Sequence, residues 1–246
     1  MRMMFLLPLL VAGAAVPSAL AKPADFAATV ADKGRSADNR KQDEGRKPAA
    51  VLDFAGFKRG DTVVDLIAGG GYYSELIARV VGPKGNVMPL NSPVMHDAAK
   101  WAPILKRYPN VTPMVVAADH AQLAPHSVDH IFAHMTYHDL YWESEKFKFP
   151  RLDVDAVVRN WFSAVRPGGS IVIIDHVGPT GDTRANVDKL HRIDPAVVRA
   201  DMERAGFVYD GSSDALRNPA DKIDVLVFDP SVRGKTDRFM MKFRRP

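Results

Sequence analysis

The sequence predicts an α/β domain of the doubly wound kind, with helices on both faces of a mostly parallel sheet. Two observations carry that expectation. Residues 62–78, TVVDLIAGGGYYSELIA, run from an apolar strand at 63–67 through Gly69-Gly70-Gly71 into a stretch of helical period, with Tyr73, Leu76, Ile77 and Val80 on one stripe. Beyond it, short apolar runs alternate with helix-period segments to the end of the chain, the order that builds a parallel sheet.

A strand, a glycine turn and a helix in that order form a nucleotide-binding corner. The glycines let backbone N–H groups approach a ligand, and the helix N-terminus adds partial positive charge. Asp65 lies in the strand itself, four residues before Gly69. In dinucleotide dehydrogenases the acid comes about 20 residues after the glycines.

At 246 residues the chain suits one α/β domain with a short extension. Its 46% hydrophobic and 25% charged residues are those of a globular protein and exclude a disordered or fibrous chain. The formal charge of +4 is mild, and only Arg233, Lys235, Arg238, Lys242, Arg244 and Arg245 cluster. Without a nucleic-acid motif that cluster reads as a solvated tail, so no nucleic-acid partner is expected. The absence of cysteine excludes disulfides, thiolate metal sites and a lipid-anchored Cys.

At the N-terminus, Met1-Arg2 is followed by an apolar run over 3–16 and a small-x-small site, Ala19-Leu20-Ala21. A signal peptide cleaved after Ala21 is expected, giving a periplasmic or secreted protein without a stable membrane anchor. The expected organisation is a leader over 1–21, a polar arm over 22–48 and the α/β domain over 49–246.

In order, residues 22–47 read as solvated helix or loop. Pro48 opens a helix over 49–55 that Gly56 caps. After a helix over 72–81, Gly82-Pro83-Lys84-Gly85 turns into a strand over 86–90, with Pro89 at its end or on a free side. Residues 96–108 are helical, with a kink or new turn at Pro103. Strands are expected within 111–118 and over 127–133, then a helix over 152–165. Arg166-Pro167-Gly168-Gly169 is a turn before a strand over 170–175. Residues 178–186 read as loop and 187–193 are ambiguous. Asp194-Pro195 caps a helix to Ala205, ended by Gly206. The last strand candidates are 207–209, 224–228 and 238–243.

His126, His130, His134 and His138 are spaced by four, which on a helix would make a metal-binding face. The segment reads as strand and loop, where only His130 and His134 share a side, and no metal is assigned. His134 and His138, past the strand end, are general-base candidates, with Asp139 to orient one of them. Asp175-His176 is expected to face the same crevice, and His191-Arg192 lies just before the later helix. Each histidine alone also reads as a hydrogen-bonded structural residue; as a group they favour a polar acceptor. Tyr141-Trp142 and residues 147–149 read either as part of a lid over that acceptor or as packing beneath a loop.

The corner resembles motif I of the class I S-adenosylmethionine-dependent methyltransferases, Asp-x-Gly-x-Gly-x-Gly. Gly69 and Gly71 match its last two glycines, and Ile67 stands at the first. A branched Cβ there is not expected to adopt glycine's backbone angles. VRPGGSIVIID resembles the Lys-Pro-Gly-Gly turn that precedes strand five in that family. The strings Tyr137-His138-Asp139, Asp175-His176, His191-Arg192-Ile193-Asp194-Pro195 and Gly234-Lys235-Thr236-Asp237-Arg238-Phe239 resemble those of bacterial predicted methyltransferases with signal peptides.

The resemblance spans roughly residue 49 to the C-terminus. It implies a seven-stranded Rossmann-like sheet with an antiparallel last strand, and S-adenosylmethionine as cofactor. It places Asp65, Gly69, Gly70 and Gly71 at that cofactor, and Asn91 where the family has an acid for both ribose hydroxyls. Asp119 falls where an acid lies near the adenine amino group, and reads equally as a turn or cap residue. The helix over 49–55 matches an arm that leans over the cofactor, or simply packs. Methyl transfer to a polar small molecule follows, with His134, His138, Asp139, Asp175 and His176 as the acceptor-side residues; the Asn/Asp-Pro-Pro-Tyr string of amino-group methyltransferases is absent. A non-catalytic extracytoplasmic binding protein with the same fold is the alternative, favoured by Ile67, Asn91 and the scarcity of the cofactor outside the cytoplasm. A nicotinamide-dependent oxidoreductase is disfavoured by the position of Asp65.

Overall fold

A computed structural model describes residues 26–246; the expected leader lies outside them. Seven strands form one sheet: β1 (Thr62–Leu66), β2 (Asn86–Asn91), β3 (Met114–Val115), β4 (Val128–His134), β5 (Val165–His176), β6 (Val208–Ser213) and β7 (Arg238–Arg244). Their order is β3-β2-β1-β4-β5-β7-β6. Neighbours from β3 to β5 run parallel, and β7 is antiparallel to both β5 and β6. This is the doubly wound sheet with a reversed last strand that the sequence led us to expect.

Alternation along the central strands makes two cores. Val63 of β1 and Phe132 of β4 pack with Tyr73, Leu76 and Ile77 on one face. Val64, Leu66, Ile131 and Ala133 pack with Val158 and Trp161 on the other. Burial on both faces explains why these strands read as continuous apolar runs. Strand order reverses between β1 and β4, so a crevice opens at their carboxyl ends.

The helices are α1 (Phe26–Val30), α2 (Ala37–Arg40), α3 (Asp43–Arg46), α4 (Pro48–Ala55), α5 (Tyr72–Val81), α6 (Ala98–Arg107), α7 (Val154–Ala164), α8 (Thr183–Leu190) and α9 (Pro195–Arg204). Among the described residues no helix is long and apolar enough to cross a membrane. Local signals hold where they are strong. Gly56 caps α4 at φ 74°, and the Asp194 carboxylate accepts the Ala196 N–H at the start of α9.

Several expectations change. The strand sought in 111–118 shrinks to β3, because Pro113 supplies no N–H for the ladder. Pro89 sits inside β2 instead of at its end; the Val87 N–H donates outward to Asn110 O, so Pro89 faces that same outer side before β3 begins to pair. Residues 183–190 form α8, capped by the Asp182 carboxylate on the Ala185 N–H; only Val187 and Leu190 are buried, too few for a visible period. Residues 224–228 are turns, and β5 begins at Val165, so Arg166–Gly169 enter the strand through an irregular pairing with β4.

The polar arm is not a solvated segment. Arg35 is buried, donating two bonds of 2.8 Å to the Asp43 carboxylate and one of 3.1 Å to Glu75 of α5. Asn39 donates to the same Glu75 oxygen at 2.9 Å, and the Tyr72 hydroxyl donates to Asp43 at 2.6 Å. Asp32 pairs with Arg79 at 2.5 Å and with Arg107 of α6 at 2.7 Å. Meanwhile α4 packs, with Val51, Leu52 and Ala55 in the core. Arg35→Ala strands the buried Glu75 carboxylate, which should cost about 3–5 kcal/mol by urea unfolding and expose 26–46 to protease. A loss below about 1 kcal/mol, the size of an exposed pair, would show that the arm is held otherwise.

Candidate functional site

The crevice is built on the turn from β1 to α5. Ile67 takes the left-handed conformation, φ 47°, followed by Gly69 at 55° and Gly71 at 81°. The branched side chain therefore does adopt the backbone of the missing glycine, against expectation. Such strain costs about 1–3 kcal/mol, and Ile67 is held there by packing on the core beneath. A Cβ on Gly71 would lie 2.6 Å from Ile104 Cδ1, so that glycine is needed for packing on α6.

Asn91 ends β2, and its amide is spent on the turn. It accepts the Gly69 N–H at 2.9 Å and donates to the Gly69 carbonyl at 3.2 Å, to which the Trp101 indole also donates at 3.0 Å. The residue expected at the ribose also fastens the loop. Just after it, Ser92 Oγ and His96 Nδ1 are occluded and have no hydrogen-bond partner.

Over the turn lies a cavity of about 770 Å³. Its strand side carries Asp65, Gly69, Gly70 and His134, its roof Arg46 of the arm, and its far wall Lys100 of α6. Asp65 is 3% exposed and accepts the Ser74 hydroxyl at 2.5 Å. Burial pushes its pKa up to about 7, against the pull of Ser74 and of the Arg46 charge. Arg46 lies over the Tyr72 ring at 4.4 Å and makes no ion pair among the described residues, and burial lowers its pKa. His134 packs on Tyr73 at 4.5 Å with Nε2 unpartnered. Burial and the Arg46 and Arg238 charges hold its pKa well below 6.5, so the ring is neutral.

The other expected residues gather elsewhere. At the ends of β4 and β5, His138 Nδ1 lies 2.8 Å from Asp175 Oδ1, and the His138 N–H donates to Asp175 Oδ2 at 2.9 Å. Burial opposes the charge on His138, but Asp175 and Asp139 outweigh it and keep the ring protonated to about 9. Burial drives His176 down to about 3, and Nδ1 sits 2.7 Å from the Thr236 hydroxyl. Asp139 is pushed up to about 6 by burial. Asp119 borders a separate hollow beside His120 and Glu143. His130 does not join His134; it meets Ser170 at 2.9 Å and Asp61 at 3.1 Å.

Sequence reasoning missed Arg46, Ser74, Ser92 and His96. Only Ser74, in the first turn of α5 on the side facing β1, left a helical-period signal that could have found it.

The Asp65 shift carries a stability consequence. With a folded pKa near 7 against 3.8 unfolded, its contribution is fully present below about pH 4 and lost as pH rises through about 7. Asp65→Asn should therefore be more stable than the parent at pH 8, by about 1–4 kcal/mol in urea titrations, and indistinguishable from it at pH 4. A parent more stable at pH 8 would contradict a penalised carboxylate.

No family model matches the sequence, and no curated protein matches it. Solved structures do resemble the fold. One is an S-adenosylmethionine-dependent methyltransferase from Aquifex aeolicus, 21% identical, aligned over 83% of this chain and 98% of that one with a TM-score of 0.57. Another is phosphoethanolamine N-methyltransferase 2 from Haemonchus contortus, solved with S-adenosyl-L-methionine, at 14% identity over 82% of this chain and 52% of that one, TM-score 0.57. The cyclase SpnF aligns at 16% identity over 88% and 86%, TM-score 0.57, so the fold alone leaves the chemistry open. The chain has the seven-stranded α/β fold seen in S-adenosylmethionine-dependent methyltransferases.

Proposed function

We propose that this protein is a methyltransferase that uses S-adenosylmethionine to methylate a small polar acceptor, and that it acts outside the cytoplasm. The observation that supports the reading is one cavity holding a buried acid, Asp65, an arginine without an ion pair, Arg46, and an unpartnered ring nitrogen on His134.

The donor set suits the cofactor's amino-acid end, which carries an ammonium and a carboxylate. Asp65 matches the first and Arg46 the second. Gly69 and Gly70 leave room for the ligand, since a Cβ on Gly69 would meet nothing within 4 Å. For the ribose, the Asn91 amide already bonds Gly69, and Ser92 Oγ and His96 Nδ1 are occluded and outside the cavity lining, so no side chain is assigned to its hydroxyls. When bound, the cofactor supplies an electrophilic methyl group. The chain's own task is placement: in-line transfer needs the acceptor atom held about 3–3.5 Å from that carbon. Residues of the arm line the cavity, and the neutral His134 accepts or donates one hydrogen bond without adding charge.

A non-catalytic binding protein is the second reading. It is favoured by the spent Asn91 amide and by the apolar slot behind Ile67 and Leu90, which holds only about 40 Å³, far below the roughly 300 Å³ of small ligand pockets.

Calorimetry on the purified protein tests both. S-adenosylhomocysteine should bind, more tightly at pH 8 than at pH 6, because Asp65 ionises through about 7 and gains its attraction for the ammonium. Arg46→Ala and Asp65→Ala should each weaken binding by about tenfold or more. No heat from S-adenosylmethionine or S-adenosylhomocysteine in a folded sample overturns the methyltransferase reading in favour of the second.

A further inference from the structure

Residues 31–47 run along the cavity between two fixed ends, and Ser36, Asn39, Gln42 and Arg46 among them line it. Before them, Phe26 and Val30 of α1 pack on the core. After them, Pro48, Val51, Leu52 and Ala55 of α4 are buried. Within the span the one buried residue is Arg35. Apolar packing therefore secures both ends and leaves the middle to polar contacts.

Asp32 is gripped by two helices of the body at once. Arg107 of α6 donates to both its oxygens, at 2.8 and 2.7 Å, and Arg79 of α5 donates to one of them at 2.5 Å. Gly34 leaves room for that grip, since a Cβ there would fall 1.8 Å from the Arg107 guanidinium. The two arginine side chains are 43% and 34% exposed, so dissolved salt screens the contact. Farther along, Arg35 and Asn39 donate to Glu75, the Tyr72 hydroxyl donates to Asp43, and Arg238 donates to the Gly45 carbonyl. Opening this segment differs from truncating one of its side chains. It returns Arg35, Asp43 and Glu75 to water together, so no charge stays buried without a partner, and the cost is far smaller.

We infer that residues 31–47 form a strap that opens as one unit, latched by Asp32, and that its opening carries Arg46 out of the cavity. Asp43 and Arg46 share one helical turn, α3, and Tyr72 holds both. Its hydroxyl donates to Asp43 at 2.6 Å, and its ring lies under Arg46 at 4.4 Å. The fastening at Asp43 and the cation of the cavity thus move together. A ligand that contacts Arg46 binds the closed strap and not the open one, so it shifts the strap towards closed. A segment held without apolar contacts is the kind that opens locally while the core stays folded. As control of how long the cofactor stays bound, the inference rests on the reading above; as an opening segment, it stands on the contacts alone.

Residue-resolved amide hydrogen exchange on the purified protein, first without ligand, tests it. The Lys47 N–H donates to the Asp43 carbonyl at the far end of the strap from Asp32, and the Gly56 N–H, bonded to Leu52 in α4, is the control. Raising NaCl from about 10 mM to about 1 M cuts the screening length from about 30 to about 3 Å and should speed exchange at Lys47 roughly tenfold relative to Gly56. Asp32→Asn, the same shape without the charge, should have the same effect at low salt. A Lys47 amide that responds to neither change overturns the strap, and so does an Asp32→Asn effect confined to the amides next to residue 32. S-adenosylhomocysteine should slow exchange at Lys47, and should dissociate from Asp32→Asn roughly tenfold faster than from the parent. Salt-sensitive exchange at Lys47 that S-adenosylhomocysteine does not slow leaves the strap standing and removes the cofactor reading. Slowing by S-adenosylhomocysteine without a response to salt or to Asp32→Asn removes the strap alone.

Discussion

The carboxyl edge of this sheet depends on one amide. Asn91 bonds both backbone groups of Gly69, fixing the glycine turn to the end of β2. With Trp101 on the same carbonyl, the turn is held from β2 and from α6 together. The position of Asp65, the opening above Gly69 and the strained backbone at Ile67 all follow from that fastening. Both the oxygen and the nitrogen of that amide are engaged by the turn.

Phe26 and Val30 of α1 pack on the core, while the rest of the arm is held largely by charge. Arg35, Asp43, Glu75, Asp32, Arg79 and Arg107 form the fastening, and neither α2 nor α3 contributes a buried residue. A roof of this kind closes a cavity without filling it with apolar side chains. Burial beneath it pushes the Asp65 carboxyl up to about 7, although the Arg46 charge pulls the other way. The site and the destabilising burial of charge therefore have one cause.

Two electrostatic states lie side by side along β4 and β5. His134, four residues before His138, is neutral because it is buried beside cationic Arg46 and Arg238. His138 is charged because Asp175 faces it. Neighbouring positions in sequence thus have opposite protonation.

Much of the fold was legible in the sequence, because its signals are local. Strand alternation, the glycine turn before Tyr72, Gly56 as a cap and Asp194-Pro195 at the start of α9 involve residues within a few positions of one another. Candidate residues were legible as types: an acid before glycines, histidines past a strand. What only the tertiary structure decided is which groups meet. Asn91 and Gly69 are 22 residues apart, His138 and Asp175 are 37, and Arg35 and Glu75 are 40. Protonation, exposure and the choice between holding a loop and holding a ligand come from burial and long-range pairing, which no local pattern records.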